Sequence, residues 1–494
     1  MHTLRTAARW LAACGALMAV LAGAVPPAQA QAWSIHHAAM HPTAYHDIAA
    51  HADAPRYTSR GSVDVATRTV TMEQHLEWVN TTGVKVTLLP FRLFANLPDF
   101  AGQTTIVRAR IDGVPVGYRY NPTRSIVEVI LPYPLAMAAR VIVSLDYRTT
   151  IPSGLGQTKY GAFNDDGTTL SFASAYPLLA MSVGGVWQTA DPDTKGDLVN
   201  SPIGLYDVTL TIPSTHRLVS TGSMITLQQT PTTQTVRVVS GLQRDFAFVL
   251  TTLLPTSATV AGTRVTVYAA PSEENRAATE TLTAATQALR LFNARFGQYP
   301  YRELDVVAVD AASFYGVEYP GLILMQDRTV ASGKRLESTV VHEVAHQWFY
   351  NLVGNDVQAD AWVDESLATY AQVIYRRAYG GEDAAESELA ELQRQFDRLI
   401  ERELDAPVQQ HMHAYTLYTF NVLAYAKGAL FYEALRNDIG PDAFDRMLLQ
   451  YVSSYRYAHA DSTSMRDVAT TICACTVDAL FATWIHPSLQ RRLP

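Results

Sequence analysis

His342-Glu343-Val344-Ala345-His346-Gln347-Trp348, followed after a short interval by Trp362-Val363-Asp364-Glu365, is the part of the sequence from which the rest can be read. The apolar spacing over 336–353 predicts one helix, closed by Gly354, since glycine is favoured just past a helix end. Residues four apart on a helix share a face, so His342 and His346 can reach one ion. Glu343 is rotated about 100° from His342, which places it beside that ion rather than on it. Two imidazoles in this arrangement suit zinc, with the intervening glutamate as general base. A second helix is expected from about residue 360 to Gly380-Gly381, after a turn through Gly354. Glu365 falls in its first turn and is the expected third ligand, with eighteen residues between it and His346. Three protein ligands leave the fourth zinc position for water.

The two segments together resemble the gluzincin metallopeptidases of the aminopeptidase N and leukotriene-hydrolase family. Two further stretches match at the family's spacing. Tyr315-Gly316-Val317-Glu318-Tyr319 resembles its Gly-Ala-Met-Glu-Asn exopeptidase motif, with Val for Met and Tyr for Asn. Tyr425-Ala426-Lys427-Gly428 resembles the segment that carries its catalytic tyrosine. The resemblance spans about 205–484. It implies that Tyr425 donates to the oxyanion and that Glu318, with Gly316 beside it, binds the substrate's α-ammonium. It implies zinc, one ion per chain, and peptide substrates with a free N-terminus. Family members contribute a further amine-binding residue from a Pro-x-x-Asp-Glu-Pro segment. The corresponding stretch here, residues 187–193, does not reveal it.

At 494 residues the chain exceeds a single core, and its 48% apolar and 17% charged composition is globular. A formal charge of −8 offers no nucleic-acid surface. Residues 1–30 have a basic start (Arg5, Arg9), an apolar run and Ala28-Gln29-Ala30, the layout of a cleaved secretory signal. Export to a periplasmic or extracellular location follows, with no membrane span after cleavage. An uncleaved anchor, or lipid attachment at Cys14, are the alternatives. The mature chain would then hold only Cys473 and Cys475, expected as small buried residues near a helix boundary rather than as a bridge.

Residues 31–60 show little periodicity and carry His36, His37, His41, His46 and His51, which reads as a solvated linker. From 61 to 255 short β-branched and aromatic runs alternate with Gly, Pro, Asn and Asp, predicting an all-β sandwich or saddle domain. From 256 to 494 a few strands give way to helices, expected at 386–402, 422–436, 442–455 and 479–485. The expected fold is therefore multidomain α+β, and the resemblance implies a thermolysin-like catalytic domain. Three functional readings follow: a secreted zinc aminopeptidase, a zinc endopeptidase with Glu318 idle, or a non-catalytic peptide-binding protein.

Overall fold

A computed structural model describes residues 33–153, 163–271, 276–311 and 314–486. The expected signal segment lies outside them. The N-terminal half is built on an eight-stranded sheet in which Arg56–Asp64 lies between Leu205–Pro213, parallel to it, and Thr69–Val79, antiparallel. Along Thr69–Val79 every second residue from Val70 to Trp78 is buried, the two-residue period of a sheet with one face on a core. Two four-stranded sheets pack against it, one containing Thr169–Ala173 and Ala247–Thr251, the other Val86–Arg92 and Ile126–Leu135. Their inner faces share one core with Phe91, Phe100, Phe163 and Phe248.

A five-stranded mixed sheet opens the second half, ordered Leu254–Val260, Thr263–Ala269, Glu303–Val309, Leu322–Gln326, Gly316–Tyr319. Its last member pairs antiparallel with Leu322–Gln326, and the connection turns at Gly321, φ +71°. Helices then predominate: Arg276–Phe296, Leu336–Ala345, Trp362–Gly380, Glu382–Glu401, Gly428–Ile439, Pro441–Tyr455, Ser462–Cys473 and Asp478–Trp484. This is the expected order, all-β first and α+β second. No helix among the described residues is long and apolar enough to cross a membrane.

Three expectations are corrected. Residues 33–60 are not a solvated linker. Met40 is fully buried, bridges to Tyr301 and accepts a hydrogen bond from Arg302 Nε at 2.7 Å. His36 Nδ1 lies 2.8 Å from Ser240 O and His41 Nε2 3.0 Å from Thr263 Oγ1, so both imidazoles are structural. Asp47 accepts from Arg456 and Tyr457, tying this strap to the far end of the chain. The second correction concerns the cysteines. Cys473 and Cys475 form a disulfide at the end of helix Ser462–Cys473, with Cys475 exposed. Ala474 between them turns left-handed, φ 51°, and this reversal brings the two sulfurs together.

Third, the helix expected over 336–353 stops at Ala345. Residues 346–353 form a tight loop in which Asn351 N donates to His346 O and Tyr350 N to Val353 O. Trp348, Phe349 and Leu352 are buried there, so their apolarity reflects packing, not helical period. Gly354 is not a helix stop. A Cβ on it would lie 2.2 Å from the Arg244 guanidinium carbon, a side chain itself held by Tyr350 O and Ser201 O.

Candidate metal centre and active site

The helix Leu336–Ala345 ends so that His346, the residue just past it, still has its amide bonded to His342 O at 3.2 Å. The two Nε2 atoms stand 3.1 Å apart. Glu365, in the first turn of Trp362–Gly380, brings Oε2 to 3.2 Å from His342 Nε2 and 3.4 Å from His346 Nε2. Tetrahedral zinc with ligands at about 2.0–2.1 Å separates them by about 3.3 Å. The three donors therefore fit one zinc ion, and they are 9%, 1% and 4% exposed, a dry pocket.

The other ring nitrogens fix the tautomers. His346 Nδ1 donates to Phe349 O at 2.9 Å, leaving the Nε2 lone pair free to ligate. His342 Nδ1 lies 3.1 Å from the Gln372 side-chain amide. Such partners orient metal-bound imidazoles. Asp364 and Asp360, adjacent in sequence, do not serve this purpose. Asp364 Oδ1 accepts from Asn355 Nδ2 and Glu365 N, and Asp360 Oδ1 from Ser462 and Gln409. Trp348 and Phe349 are core residues.

Glu343 is 4% exposed, and its Oε2 has no hydrogen-bond partner among the described residues. A buried carboxylate oxygen of this kind faces a group the protein itself does not supply. Donor atoms of Glu343, Glu318 and His346 all lie within 4.8 Å of one another. Gly316 explains how Glu343 fits: a Cβ there would stand 2.5 Å from Glu343 Oε1 and 2.6 Å from its Cγ. Two residues on, Glu318 is 7% exposed on the edge strand Gly316–Tyr319, a buried strand residue rather than a solvated turn.

The residue not legible in the sequence is Asp197. Its side chain and that of Glu318 line one cavity, close enough for each charge to act on the other. The loop that carries it is clamped from the second half of the chain. Gln358 Nε2 donates to Asp193 O at 3.2 Å and Asp197 O at 2.8 Å, and Gln358 Oε1 accepts from Asp193 N. The stretch 187–193 thus ends four residues short of the side chain it delivers. The nearest sequence signal is the carboxylate-rich run Asp191, Asp193, Asp197 around Gly196.

Burial, then the charge of Glu318, raises the Glu343 carboxyl well above the usual range. Burial likewise raises Asp197, reinforced by Glu318 and Glu365. Burial would raise Glu365 too, but the hydrogen bonds of His342 and His346 outweigh it and hold it low. Burial lowers His346, yet Glu318 and Glu365 reverse this and raise it. Four carboxylates converge on two imidazoles, and a dication is the charge that such a buried cluster lacks.

Tyr425 lies in a widened π-helical stretch, Asn421–Lys427, that runs into helix Gly428–Ile439, where the sequence predicted one regular helix from 422. Single π turns of this kind recur at functional sites. The ring stacks on His342 at 5.7 Å between centroids, and the hydroxyl donates to Glu365 Oε1. Lys427 secures the stretch, with Nζ 2.7 Å from both Asp405 Oδ1 and Ala406 O. Gly428 lets it approach the Glu365 helix, for a Cβ there would overlap Ser366.

Residues 280–484 match the Peptidase family M1 domain. The aminopeptidase N-like gluzincin resemblance of the motifs thus stands on the whole catalytic region. The chain is 28% identical over 247 residues to aminopeptidase M1-B of rice, covering 46% of this chain and 27% of that protein. It is 26% identical over 234 residues to human endoplasmic reticulum aminopeptidase 2, covering 44% and 24%. The chain thus matches about a quarter of the length of these relatives. The M1 zinc metallopeptidase of Deinococcus radiodurans superposes with a TM-score of 0.67 at 21% identity, covering 90% of this chain and 94% of that one. At that identity the likeness speaks for the fold, and it extends over both halves.

Proposed function

We propose that this chain is an exported zinc aminopeptidase that releases the N-terminal residue of peptides. His342, His346 and Glu365 hold the zinc. When bound, it supplies Lewis acidity that brings the pKa of a water toward about 7. Glu343 takes the proton of the water that attacks the scissile carbonyl and passes it to the departing amine as the C–N bond breaks. Tyr425 turns its hydroxyl from Glu365 to the developing oxyanion. Glu318 and Asp197 receive the α-ammonium, a charge-assisted contact that sets where cleavage falls.

One observation carries the reading: buried Glu318, with half-buried Asp197 beside it, sits next to Glu343. A substrate whose ammonium rests there can present only its first peptide bond to Glu343. Relatives named as aminopeptidases, and a Deinococcus radiodurans M1 structure bound to a Tyr-Ser-Ala substrate, support it. Export is supported by the leader-like residues 1–30 and by the Cys473–Cys475 disulfide, since disulfides persist in oxidising compartments. Sequencing the N-terminus of purified protein checks it, with Gln31 expected.

The test of the activity is one peptide in free and N-acetylated forms, digested and followed by mass spectrometry. Sequential loss of single residues from the free form alone is expected. Internal cuts at similar rates in both forms would make the enzyme an endopeptidase and leave Glu318 without its role.

A further inference from the structure

Arg244 is buried where three parts of the chain meet, and its donors go to main-chain carbonyls. Nε donates to Tyr350 O at 2.7 Å and Nη1 to Ser201 O at 3.3 Å. Nη2 donates to Ala458 O and, at 3.5 Å, to Leu352 O. Ser201 belongs to the β half, Tyr350 and Leu352 to the loop after helix Leu336–Ala345, and Ala458 to the segment before helix Ser462–Cys473. Burial lowers the guanidinium pKa to about 10, so it is a cation at neutral pH. A buried charge is costly unless it is fully hydrogen-bonded, and five donors in one plane let a guanidinium hold several carbonyls at once.

Tyr350 connects this cation to the metal centre. Its φ of 132° is a conformation bulky residues rarely adopt, and such strain persists only where the surroundings impose it. The peptide unit before Tyr350 is fixed at both ends: Phe349 O lies 2.9 Å from His346 Nδ1, and Tyr350 N donates to Val353 O at 2.9 Å. The peptide unit after it is fixed by Arg244, at Tyr350 O. Tyr350 φ lies between these two units. Without Arg244 the second unit is free to turn, φ relaxes, and the first unit, which carries Phe349 O, is drawn away from His346.

We propose that Arg244 is a positioning residue for the metal centre: it holds Tyr350 in its strained conformation and thereby keeps Phe349 O on His346 Nδ1. This role rests on zinc being held by His342, His346 and Glu365. A carbonyl on Nδ1 fixes the orientation of the imidazole and leaves Nε2 for the ion. Loss of such a partner weakens metal binding about 10- to 100-fold. The β half, which supplies Arg244, thus tunes metal affinity although all three ligands lie in the other half.

The experiment strips the full chain of metal with a chelator, measures zinc Kd by competition with a chromophoric chelator, and records melting with and without zinc. Arg244→Met removes the donors and keeps a long side chain. Its Kd is expected to rise about 10- to 100-fold. The gain in Tm on adding zinc should shrink, because that gain grows with the ratio of free zinc to Kd. A residue that only braced the two halves would lower Tm with and without zinc alike; unchanged Kd and an unchanged gain therefore overturn the proposal. Arg244→Lys keeps the charge without the planar fork and is expected at the low end of the same range. It decides the matter if Arg244→Met does not fold. Failure of both variants to fold also overturns the proposal, since Arg244 would then serve folding and not the metal. A wild-type chain that binds no zinc overturns the metal reading itself. Tight zinc in the wild type with equal affinity in a folded variant overturns only the role of Arg244.

Discussion

Gly316→Ala isolates the placement of Glu343, the proposed general base, from every other variable. The added methyl carbon would stand 2.5 Å from Glu343 Oε1, 2.6 Å from Cγ and 2.7 Å from Cδ. Carbon atoms at rest keep about 3.5–4.0 Å, so Glu343 must retreat by about 1 Å. The strand cannot yield instead without loosening its pairing, since Gly316 lies opposite Met325 and Val317 opposite Leu324. Gly316 has no positive φ, so alanine is tolerated by the backbone and the effect is steric alone. A 1 Å misplacement of a reacting group costs about a hundredfold, or about 2.7 kcal/mol of barrier. The three ligands are untouched, so metal content should equal that of the wild type. The assay is steady-state hydrolysis of leucyl-coumarin amide together with elemental analysis of the same preparation. A variant with full zinc and kcat within threefold of wild type would refute the claim that Gly316 exists to seat Glu343. So would loss of zinc, because it would mean the strand supports the ligands instead.

Glu343→Gln should retain zinc by elemental analysis and lose nearly all turnover; a variant that loses the metal would make Glu343 a ligand. Tyr425→Phe keeps the stacking on His342 and removes one oxyanion donor, for an expected loss of about 10²–10³ in kcat. A rise in KM at constant kcat would assign its hydroxyl to ground-state binding instead.

The metal donors were legible because a helix places residues i and i+4 on one face, and because Glu365 lies in the first turn of the next helix. The end of the first helix was not. Trp348, Phe349 and Leu352 extend an apolar run, but they are buried by neighbours such as Phe292 and Phe296, distant in sequence. Asp197 was hidden for a related reason: its loop has no period, and Gln358, far along the chain, holds it in place. Residues 33–60 looked solvated because five histidines suggest polarity, whereas His36 and His41 find buried partners at Ser240 and Thr263. Sequence pattern reports local period and residue chemistry. It is silent where burial and orientation come from elements hundreds of residues away.

The π-helical stretch from Asn421 to Lys427 makes the register of Tyr425, the tyrosine proposed for catalysis, a matter of residue count rather than residue identity. A regular α-helix advances about 100° per residue, and the widened turn takes up one residue beyond that schedule. Deleting a single residue between Tyr425 and Gly428 would let the helix close into ordinary turns while Gly428 stayed against Ser366. Residues before Asn421 would keep their register, because the widened turn is what absorbs the extra residue, while Tyr425, inside the turn and now one residue nearer Gly428, would rotate about the axis. Tyr425 would leave the face of His342 with its own identity and the metal ligands intact. An insertion or deletion there is therefore a more severe lesion than most substitutions, and it would pass unnoticed in any comparison that scores residue types alone.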